Sequence, residues 1–274
     1  CVRKCTFCDI YNIWPKFRYR SAESLVAEIK SHYERHGVTR FDFTDSLING
    51  SVSNFYKFNC LLAEEKAKDK NLTEVGYLGQ AICRPKSQMP ESHYEAMYHA
   101  GCKQLTIGIE SFSSTVRDHM KKKFSDEDIE YHLEQCKYWN IPNVFLMITG
   151  YPTETIQDHE KNLKDLEKYK DYAKLGIIEM IRWGTTMHLI PDTPITSAEN
   201  IKALGLKGKN NKSIGFEPES QYYWHSDTNP DLTLQERIRR RVELHEQSVR
   251  YGYPQPRVKY ELQTVLEMAK LLKQ

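Results

Sequence analysis

The feature that most limits what this chain can fold into is a regular alternation of amphipathic helical patterns with short apolar runs. Helices are predicted at residues 21–33, 55–68, 91–100, 125–139 and 155–172, and extended runs at residues 40–43, 74–82, 104–109, 144–148 and 186–190. Strand followed by helix, repeated along a chain, is typical of parallel strands joined by right-handed crossovers. The sequence therefore predicts an α/β fold, either a TIM-type barrel or part of one.

Polar residues follow the predicted strands, where parallel barrels carry their reactive groups. They are Asp45 and Asn49 after the first run, Arg84 after the second, Glu110 and Ser111 after the third, and residues 149–155 after the fourth. Because the C-terminal ends of parallel strands meet at one rim, their shared placement makes them candidates for a site. Each one taken alone could be an ordinary polar loop residue.

The alternation stops near residue 196, and residues 196–231 are predicted as loop. A helix then begins at Thr233 and ends near Gly252, and a last helix covers residues 260–272. We therefore divide the chain into a barrel domain, residues 1–195, and a mainly helical C-terminal extension, residues 196–274, which contacts substrate or closes the barrel.

Two clusters in the extension have alternative interpretations. The aromatic residues at 221–225 could stack on a planar substrate or fill the open side of the barrel. The arginines at 237–241 are expected to form a salt-bridged solvated face and not a phosphate site, because Glu236, Glu243 and Glu246 share their helix.

Composition predicts a soluble protein, because no apolar run approaches the ~18 residues that a membrane span needs. The formal net charge of +2 neither favours nor excludes a polyanionic partner. Seven cysteines, of which four are scattered singly, do not resemble a disulfide framework. They indicate reduced thiols in a cytoplasmic compartment.

Cys1, Cys5 and Cys8 have the spacing C-x3-C-x2-C. Thiolates are the usual ligands of a 4Fe–4S cluster, and three of them leave one iron without a protein ligand. An open coordination position is what makes a metal site catalytic and not structural. Spacing alone leaves open a zinc site completed by a histidine, or thiols without a metal. The nearest histidine, His32, lies inside a predicted helix.

The segment from Cys1 to Cys8, with Phe7 before the third cysteine, resembles the signature of the radical SAM superfamily. The resemblance extends to about Ile195 and includes the stretches GIES at 108–111, GYPTET at 150–155 and PDTP at 191–194. These stretches are similar to those of the branch that holds methylthiotransferases, coproporphyrinogen dehydrogenase-like enzymes and cobalamin-dependent radical SAM proteins. In such barrels a strand leads into the cysteine loop, so we expect a partial (β/α)6 barrel that lacks its first strand.

The resemblance implies that Cys1, Cys5 and Cys8 hold a 4Fe–4S cluster whose open iron is chelated by S-adenosylmethionine (SAM). It implies that the reduced cluster cleaves SAM to methionine and a 5′-deoxyadenosyl radical, which abstracts hydrogen from a substrate. It also implies an electron donor such as flavodoxin or ferredoxin. In this family the following residues are expected at the SAM pocket: Phe7 near the adenine, Glu110 and Ser111 on the ribose or methionyl group, Lys122 facing the SAM carboxylate, and Tyr151 and Pro152 in the wall.

Asp45, Asn49 and Arg84 each have more than one possible role at the rim. Asp45 and Asn49 stand where many members have a glycine-rich stretch that supports the methionyl amino group, and this chain lacks those glycines. Arg84 could face an anionic substrate or pair with a carboxylate of the rim. The lysine run at 121–123 could equally be a solvated surface, with no role for Lys122.

These motifs are compatible with three hypotheses about the function of the protein. The first is a radical SAM enzyme that uses cobalamin through a domain upstream of this segment. The second is an enzyme without cobalamin, such as a methylthiotransferase-like enzyme that modifies RNA or protein. The third, a non-catalytic metal-binding module, is disfavoured because it leaves the SAM-pocket stretches unexplained. No fused RNA-binding domain and no clear nucleic-acid site are visible in the sequence.

Overall fold

The computed structural model describes residues 1–217 and 221–255, together with Lys270. Its centre is a five-stranded sheet in which every neighbouring pair is parallel and the spatial order follows the chain. The strands are β1 (Arg40–Phe43), β2 (Gly76–Ala81), β3 (Cys102–Glu110), β4 (Asn143–Met147) and β5 (Ile178–Arg182). This is the predicted α/β architecture of a partial TIM-type barrel.

Helices follow the strands and cover the sheet. They are α1 (Ile10–Ile13), α2 (Ala22–His36), α3 (Val52–Lys68), α4 (Glu91–Ala100), α5 (Ser114–His119), α6 (Asp126–Tyr138), α7 (Ile156–Lys174), α8 (Ala198–Leu204) and α9 (Leu234–Arg250). Short 3₁₀ turns occupy Lys70–Glu74, Pro194–Thr196 and Lys209–Asn211. Two short antiparallel strands, β6 (Leu206–Lys207) and β7 (His225–Ser226), pair beyond the main sheet.

The helix ends are set by local chemistry that the sequence shows directly. Ser125 and Asp128 form the predicted capping box of α6, and Thr155 forms one with Asp158 at the start of α7. Helix α4 ends at Gly101, whose φ of 85° is left-handed and therefore suits glycine. At α9 only the Thr233 half of a capping box forms, since its hydroxyl accepts from the Glu236 amide.

Two predictions of local structure were wrong. The fifth strand is Ile178–Arg182 and not residues 186–190, which contribute only a single bridge between Thr186 and Thr149. Glu179 and Arg182 are charged and exposed, so the apolar residues of β5 do not form a continuous run. Residues 196–231, predicted as loop, contain α8 and the β6–β7 pair. The helix predicted at 260–272 lies outside the described residues.

The main core packs helices α2, α3, α4, α6 and α7 against the sheet. A second, smaller core, which we call the rim cluster, lies among the loops that follow the strands. It consists of Val116, Met120, Tyr151, Met187, Leu189, Ile195, Leu206, Trp224 and Leu232. Because its members come from distant parts of the chain, the rim cluster fixes the loops around the candidate site relative to one another.

Strand β1 forms one edge of the sheet, and within the described residues its only partner strand is β2. A groove of about 390 Å³ runs along this edge between α2 and α3, lined also by residues 17–20. In the part of the chain that the structure describes, no helix is long and apolar enough to cross a membrane.

Candidate functional site

The three cysteines of the opening motif lie on one loop as free thiols. Cys5 is buried, whereas Cys1 and Cys8 are half-buried. Burial is the largest influence on the pKa of the Cys5 and Cys8 thiols and raises both, while the Lys122 ammonium opposes it. The Lys122 Nζ lies 5.9 Å from the ring centroid of Phe7 in this loop and 3.1 Å from Glu110 Oε1, which places both charged side chains beside the cysteines.

Thr6 anchors the cysteine loop to three other segments. Its amide donates to the Met120 carbonyl at 3.2 Å, and its carbonyl accepts from the Ile195 amide at 2.8 Å. Its hydroxyl lies 2.7 Å from the hydroxyl of Tyr151, and both reach the carbonyl of His119. Burial raises the pKa of Tyr151 to about 12, so this phenol stays protonated at neutral pH. Sequence reasoning did not single out Thr6, although its position between Cys5 and Cys8 was a signal.

Glu110 is aimed at the site by an irregularity in β3. The register between β3 and β4 shifts between Gly108 and Glu110, and Glu110 has a φ of 67°. A non-glycine residue in this left-handed region is uncommon, and such strain is frequent at functional sites. The bulge turns the carboxylate toward Lys122, whose Nζ lies 3.1 Å from Glu110 Oε1 in a buried ion pair.

Lys122 is buried between two exposed lysines. Lys121 and Lys123 have φ values of 59° and 57°, so the backbone reverses on both sides of Lys122 and sends its side chain inward. Its Nζ lies 5.9 Å from the ring centroid of Phe7 and forms a cation–π contact there. The interpretation of this run as a uniformly solvated surface is therefore wrong for Lys122.

The other residues predicted to line the SAM pocket make packing contacts and hydrogen bonds with neighbouring loops. Phe7 packs against the rim cluster, to which Tyr151 belongs, and the buried Pro152 accepts a hydrogen bond from Asn229. The Ser111 hydroxyl faces Asn162 at 3.2 Å and accepts from the Ser113 amide, so it holds the turn after β3.

Asp45 is separate from this group. It is exposed and lines the groove beside β1, with Phe17 and Arg18. The structure therefore brings Phe7, Glu110, Lys122 and Tyr151 together around the cysteine loop and leaves Asp45 on another surface. Its role at the SAM pocket stays a prediction without a supporting contact.

Arg84 connects two loops of the rim. It donates to the carbonyls of Asn49 and Gly50 at 3.0 and 3.2 Å and to Gln88, and no carboxylate is among its partners in the described residues. The Asn49 amide in turn makes a reciprocal pair of hydrogen bonds with the backbone of Ile82. Both residues therefore fix the loops after β1 and β2, and Cys83 beside them is fully buried.

The predicted salt-bridged solvated face of α9 is confirmed for Arg239, which pairs with Glu236 and Glu243, and is wrong for the three arginines that are buried. Arg240 donates to Glu154 Oε1 at 3.1 Å and to the carbonyls of Glu154 and Thr155. The other oxygen of Glu154 accepts from the Gly150 amide at 2.9 Å. Burial raises the pKa of Glu154, and Arg240 opposes this. The network ties the loop of Gly150 and Tyr151 to α9.

Arg237 has no carboxylate among its described partners. It donates to the carbonyls of Met187, Tyr222 and Trp224, and its guanidinium lies 3.8 Å from the ring centroid of Trp224. Burial lowers its pKa to about 9. A β-carbon at Gly150 would lie 2.5 Å from the Arg237 side chain, so that glycine is needed for α9 to dock. The aromatic cluster at 221–225 thus contributes Trp224 to packing.

The Thr6–Tyr151 hydrogen bond is open to a direct test. We expect Thr6→Val and Tyr151→Phe each to reduce the free energy of unfolding by about 1–2 kcal/mol, because each removes one hydroxyl from a buried group in which the two hydroxyls bond each other and the His119 carbonyl. In the double variant the loss should be about 1 kcal/mol smaller than the sum. Urea unfolding of the metal-free protein under anaerobic conditions measures this. Tyr138→Phe, at a side chain that is 78% exposed, should change it by less than about 0.5 kcal/mol. Additive losses would contradict the contact.

The donor set fits an iron–sulfur cluster better than a single ion. The loop supplies three free thiols, the ligand type that 4Fe–4S clusters use. Within residues 1–217 and 221–255, no group of three His, Cys, Asp or Glu side chains is arranged to hold a metal ion. The arrangement of side chains therefore does not distinguish zinc from a cluster, and the assignment to a cluster rests on the donor type, three thiols.

Together the fold and the site define a protein with a partial parallel α/β barrel, a loop that carries three thiols, and a buried ion pair between Glu110 and Lys122 at the rim of the barrel. The sequence profile of the radical SAM superfamily matches residues 1–166. The chain therefore belongs to the radical SAM superfamily, whose enzymes use a 4Fe–4S cluster and SAM.

Curated relatives extend this result. The ribosomal protein uS12 methylthiotransferase RimO of Clostridium botulinum is 30% identical over 188 residues, which cover 66% of this chain and 41% of the relative. A threonylcarbamoyladenosine tRNA methylthiotransferase of Caenorhabditis elegans is 35% identical over 72 residues, or 24% of this chain and 16% of the relative. The chain thus spans less than half the length of the curated relatives it matches.

Solved structures share the fold. The radical SAM methyltransferase TsrM from Kitasatospora setae, with tryptophan and a SAM analogue bound, superimposes with a TM-score of 0.64 at 16% identity, covering 89% of this chain and 49% of TsrM. The cobalamin-dependent SAM radical enzyme OxsB superimposes with a TM-score of 0.64 at 13% identity, covering 98% of this chain and 44% of OxsB. At these identities the likeness concerns the fold.

Proposed function

We propose that this chain is the SAM-cleaving part of a radical SAM enzyme. Cys1, Cys5 and Cys8 would hold the 4Fe–4S cluster, which supplies, when SAM is bound, the electron that splits it into methionine and a 5′-deoxyadenosyl radical. The observation that carries the proposal is the loop itself, with three free thiols anchored by Thr6 beside the buried Glu110–Lys122 pair.

Different residues of this chain would bind the charged groups of SAM and exclude water from the site. Lys122 provides a cation that can neutralise a carboxylate, and Glu110 accepts hydrogen bonds from an ammonium or from hydroxyls. Phe7 and Tyr151 cover this side of the site with aromatic surface backed by the rim cluster. Each protein charge already has its partner, so a ligand with both charges can exchange with the ion pair without leaving a buried charge alone.

The test is anaerobic reconstitution of the complete protein with iron and sulfide, followed by SAM and a strong reductant. We expect about four irons per chain and stoichiometric release of methionine and 5′-deoxyadenosine. Three irons or fewer per chain, or no SAM-dependent 5′-deoxyadenosine, would contradict the proposal.

Gly108 gives a more specific prediction for the SAM site. A β-carbon there would lie 2.4 Å from Glu110 Oε1 and 3.1 Å from Lys122 Nζ, so alanine must displace the ion pair. Because the displaced atoms are the ends of flexible side chains, the fold should persist while the affinity for SAM falls about tenfold, equivalent to about 1.4 kcal/mol. Equilibrium binding of SAM to the reconstituted protein measures this, with thermal unfolding as the control for folding. In a Glu110→Ala background, Gly108→Ala should have little further effect; an undiminished second loss would contradict the role of Glu110.

Two candidates remain for the whole protein. A methylthiotransferase-like activity on RNA or protein is favoured by the sequence relatives, because the 30% identity covers most of the barrel. A cobalamin-dependent activity is favoured by the superposition on OxsB, because it covers 98% of this chain. Titration of the complete protein with hydroxocobalamin separates them, since a saturable spectral change supports only the second.

We further propose that residues 1–195 form the barrel domain and that residues 196–274 form an extension that closes it. The packing of α9 against the barrel supports this proposal. Arg240 of α9 donates a hydrogen bond to the Glu154 carboxylate, and the Trp183 indole donates one to the Ser248 hydroxyl at 3.0 Å. We also propose a reducing, cytoplasmic compartment, supported by seven free cysteines. The roles of Phe7, Glu110, Ser111, Lys122, Tyr151 and Pro152 at the SAM pocket stay predictions, as does that of Asp45.

A further inference from the structure

The exposed side of the cysteine loop carries a concentration of positive charge. Arg3 and Lys4 from the loop, together with Lys121 and Lys123, line one shallow depression with Val2. We call these four cations the basic patch. No ion pair joins Lys4, Lys121 or Lys123 to a carboxylate in the described part of the chain. Elsewhere, lysines such as Lys30, Lys57 and Lys168 pair with glutamates.

No carboxylate of the described residues forms an ion pair with any member of the basic patch. The Asp128 carboxylate, in the first turn of α6, accepts a hydrogen bond from the Ser125 amide in the capping box. Because the whole chain has a formal net charge of only +2, the positive potential here is local and not a property of the entire surface.

Exposed aromatic residues continue the basic patch along α1. Lys4 Nζ lies 4.3 Å from the ring centroid of Tyr11, and Trp14, one helical turn on, is 55% exposed with Arg18 above its ring. Helix α1 has no buried residue. Aromatic side chains within a charged rim are typical of protein–protein interfaces, where Trp, Tyr and Arg carry much of the binding energy.

We propose that the basic patch and α1 form the docking surface for a small acidic electron carrier protein. The inference rests on the proposed function, in which one electron passes from the reduced carrier to the cluster for each cleavage of SAM. Arg3 and Lys4 lie between Cys1 and Cys5, so their backbone is within about 7 Å of a cluster ligand. A carrier seated here approaches the thiol loop directly, and long-range attraction between opposite charges raises its rate of association.

The same chemistry, cations beside aromatic rings, could also bind single-stranded RNA. We favour the carrier because the surface is the outer side of the cysteine loop itself, where electrons must enter. The RNA interpretation is an outcome of the test.

The test uses a charge-reversal variant, Lys4→Glu with Lys121→Glu and Lys123→Glu, and a matched variant, Lys70→Glu with Lys103→Glu and Lys164→Glu. The matched lysines are exposed and lie away from the cysteine loop, at the opposite strand ends and on α7. Binding of flavodoxin to the complete protein is measured by calorimetry at low and moderate salt. We expect the affinity to fall at least tenfold in the charge-reversal variant, with most of its salt dependence lost, and to change less than threefold in the matched variant.

A second readout separates this proposal from the proposed function. With dithionite as reductant, both variants should release 5′-deoxyadenosine at the wild-type rate, whereas with reduced flavodoxin only the charge-reversal variant should slow at least tenfold. Equal slowing with both reductants, unchanged flavodoxin affinity, or loss of polyuridine binding without loss of flavodoxin binding would each overturn the docking surface. Absence of SAM cleavage by the wild-type protein with dithionite would instead overturn the proposed function.

Discussion

Replacing Cys5 with alanine is expected to abolish both the cluster and the cleavage of SAM. Cys5 is the buried member of the three thiols, and its loss leaves two ligands where three are needed to leave a single open iron. We expect iron per reconstituted chain to fall from about four to less than one, and SAM cleavage to fall about 10³-fold or more, equivalent to about 4 kcal/mol of barrier. Iron analysis and 5′-deoxyadenosine release measure the two effects.

Cys60→Ala is the matched control for this prediction. Cys60 is also a free thiol, half-buried, but it lies on α3 and outside the C-x3-C-x2-C motif. Its removal should leave iron content and SAM cleavage within about twofold of wild type, a difference of less than about 0.5 kcal/mol. A Cys5→Ala protein that still cleaves SAM would show that the cluster is held elsewhere.

The sequence was sufficient for the parts of the molecule that local chemistry determines. Strands β2 to β4 contain apolar runs, β1 alternates charged residues with phenylalanine, and the helices between them have amphipathic patterns, so their order and parallel arrangement could be predicted. Caps such as Ser125 and Gly101 set boundaries within a few residues because they act on their own neighbours. Strand β5 was not predicted because two of its five side chains, Glu179 and Arg182, are charged and exposed.

The candidate site could be predicted as a set of residues but not as an arrangement. Three consecutive lysines look alike in sequence, and only the left-handed backbone at Lys121 and Lys123 separates the buried Lys122 from them. Thr6 has no motif of its own, and its importance comes from contacts with Tyr151 and Ile195 more than a hundred residues away. Asp45 follows a strand as Glu110 does, yet β1 is the edge of the sheet and its loop faces the outer groove.

Replacing Arg240 with methionine is expected to cause the largest loss of stability among single changes at the rim. Methionine keeps most of the aliphatic volume but leaves the fully buried Glu154 carboxylate without its cation, and two carbonyls without a donor. Breaking a buried pair in this way typically costs about 3–5 kcal/mol. Urea unfolding of the metal-free protein measures the loss.

The adjacent residue supplies the control. Arg239 forms ion pairs with Glu236 and Glu243 on the exposed side of α9, where its side chain is 45% exposed. Because solvent screens such pairs, Arg239→Met should cost about 1 kcal/mol or less. Equal losses for Arg239→Met and Arg240→Met would show that the contact with Glu154 does not hold α9 to the loop of Gly150 and Tyr151.

The pH dependence of the Arg240→Met protein identifies the cause of its instability. Burial raises the pKa of Glu154, and without Arg240 only the hydrogen bond from the Gly150 amide opposes that rise. A group whose pKa is higher in the folded state destabilises the fold at pH values above its unfolded pKa of about 4.3, and the penalty fades as pH falls through the folded pKa. The difference in the free energy of unfolding between the wild-type and Arg240→Met proteins should therefore become smaller as the pH is lowered from neutral toward 4.3. A second change, Glu154→Gln, should remove this pH dependence, because the variant then has no carboxylate to bury and the remaining loss reflects only the missing hydrogen bonds.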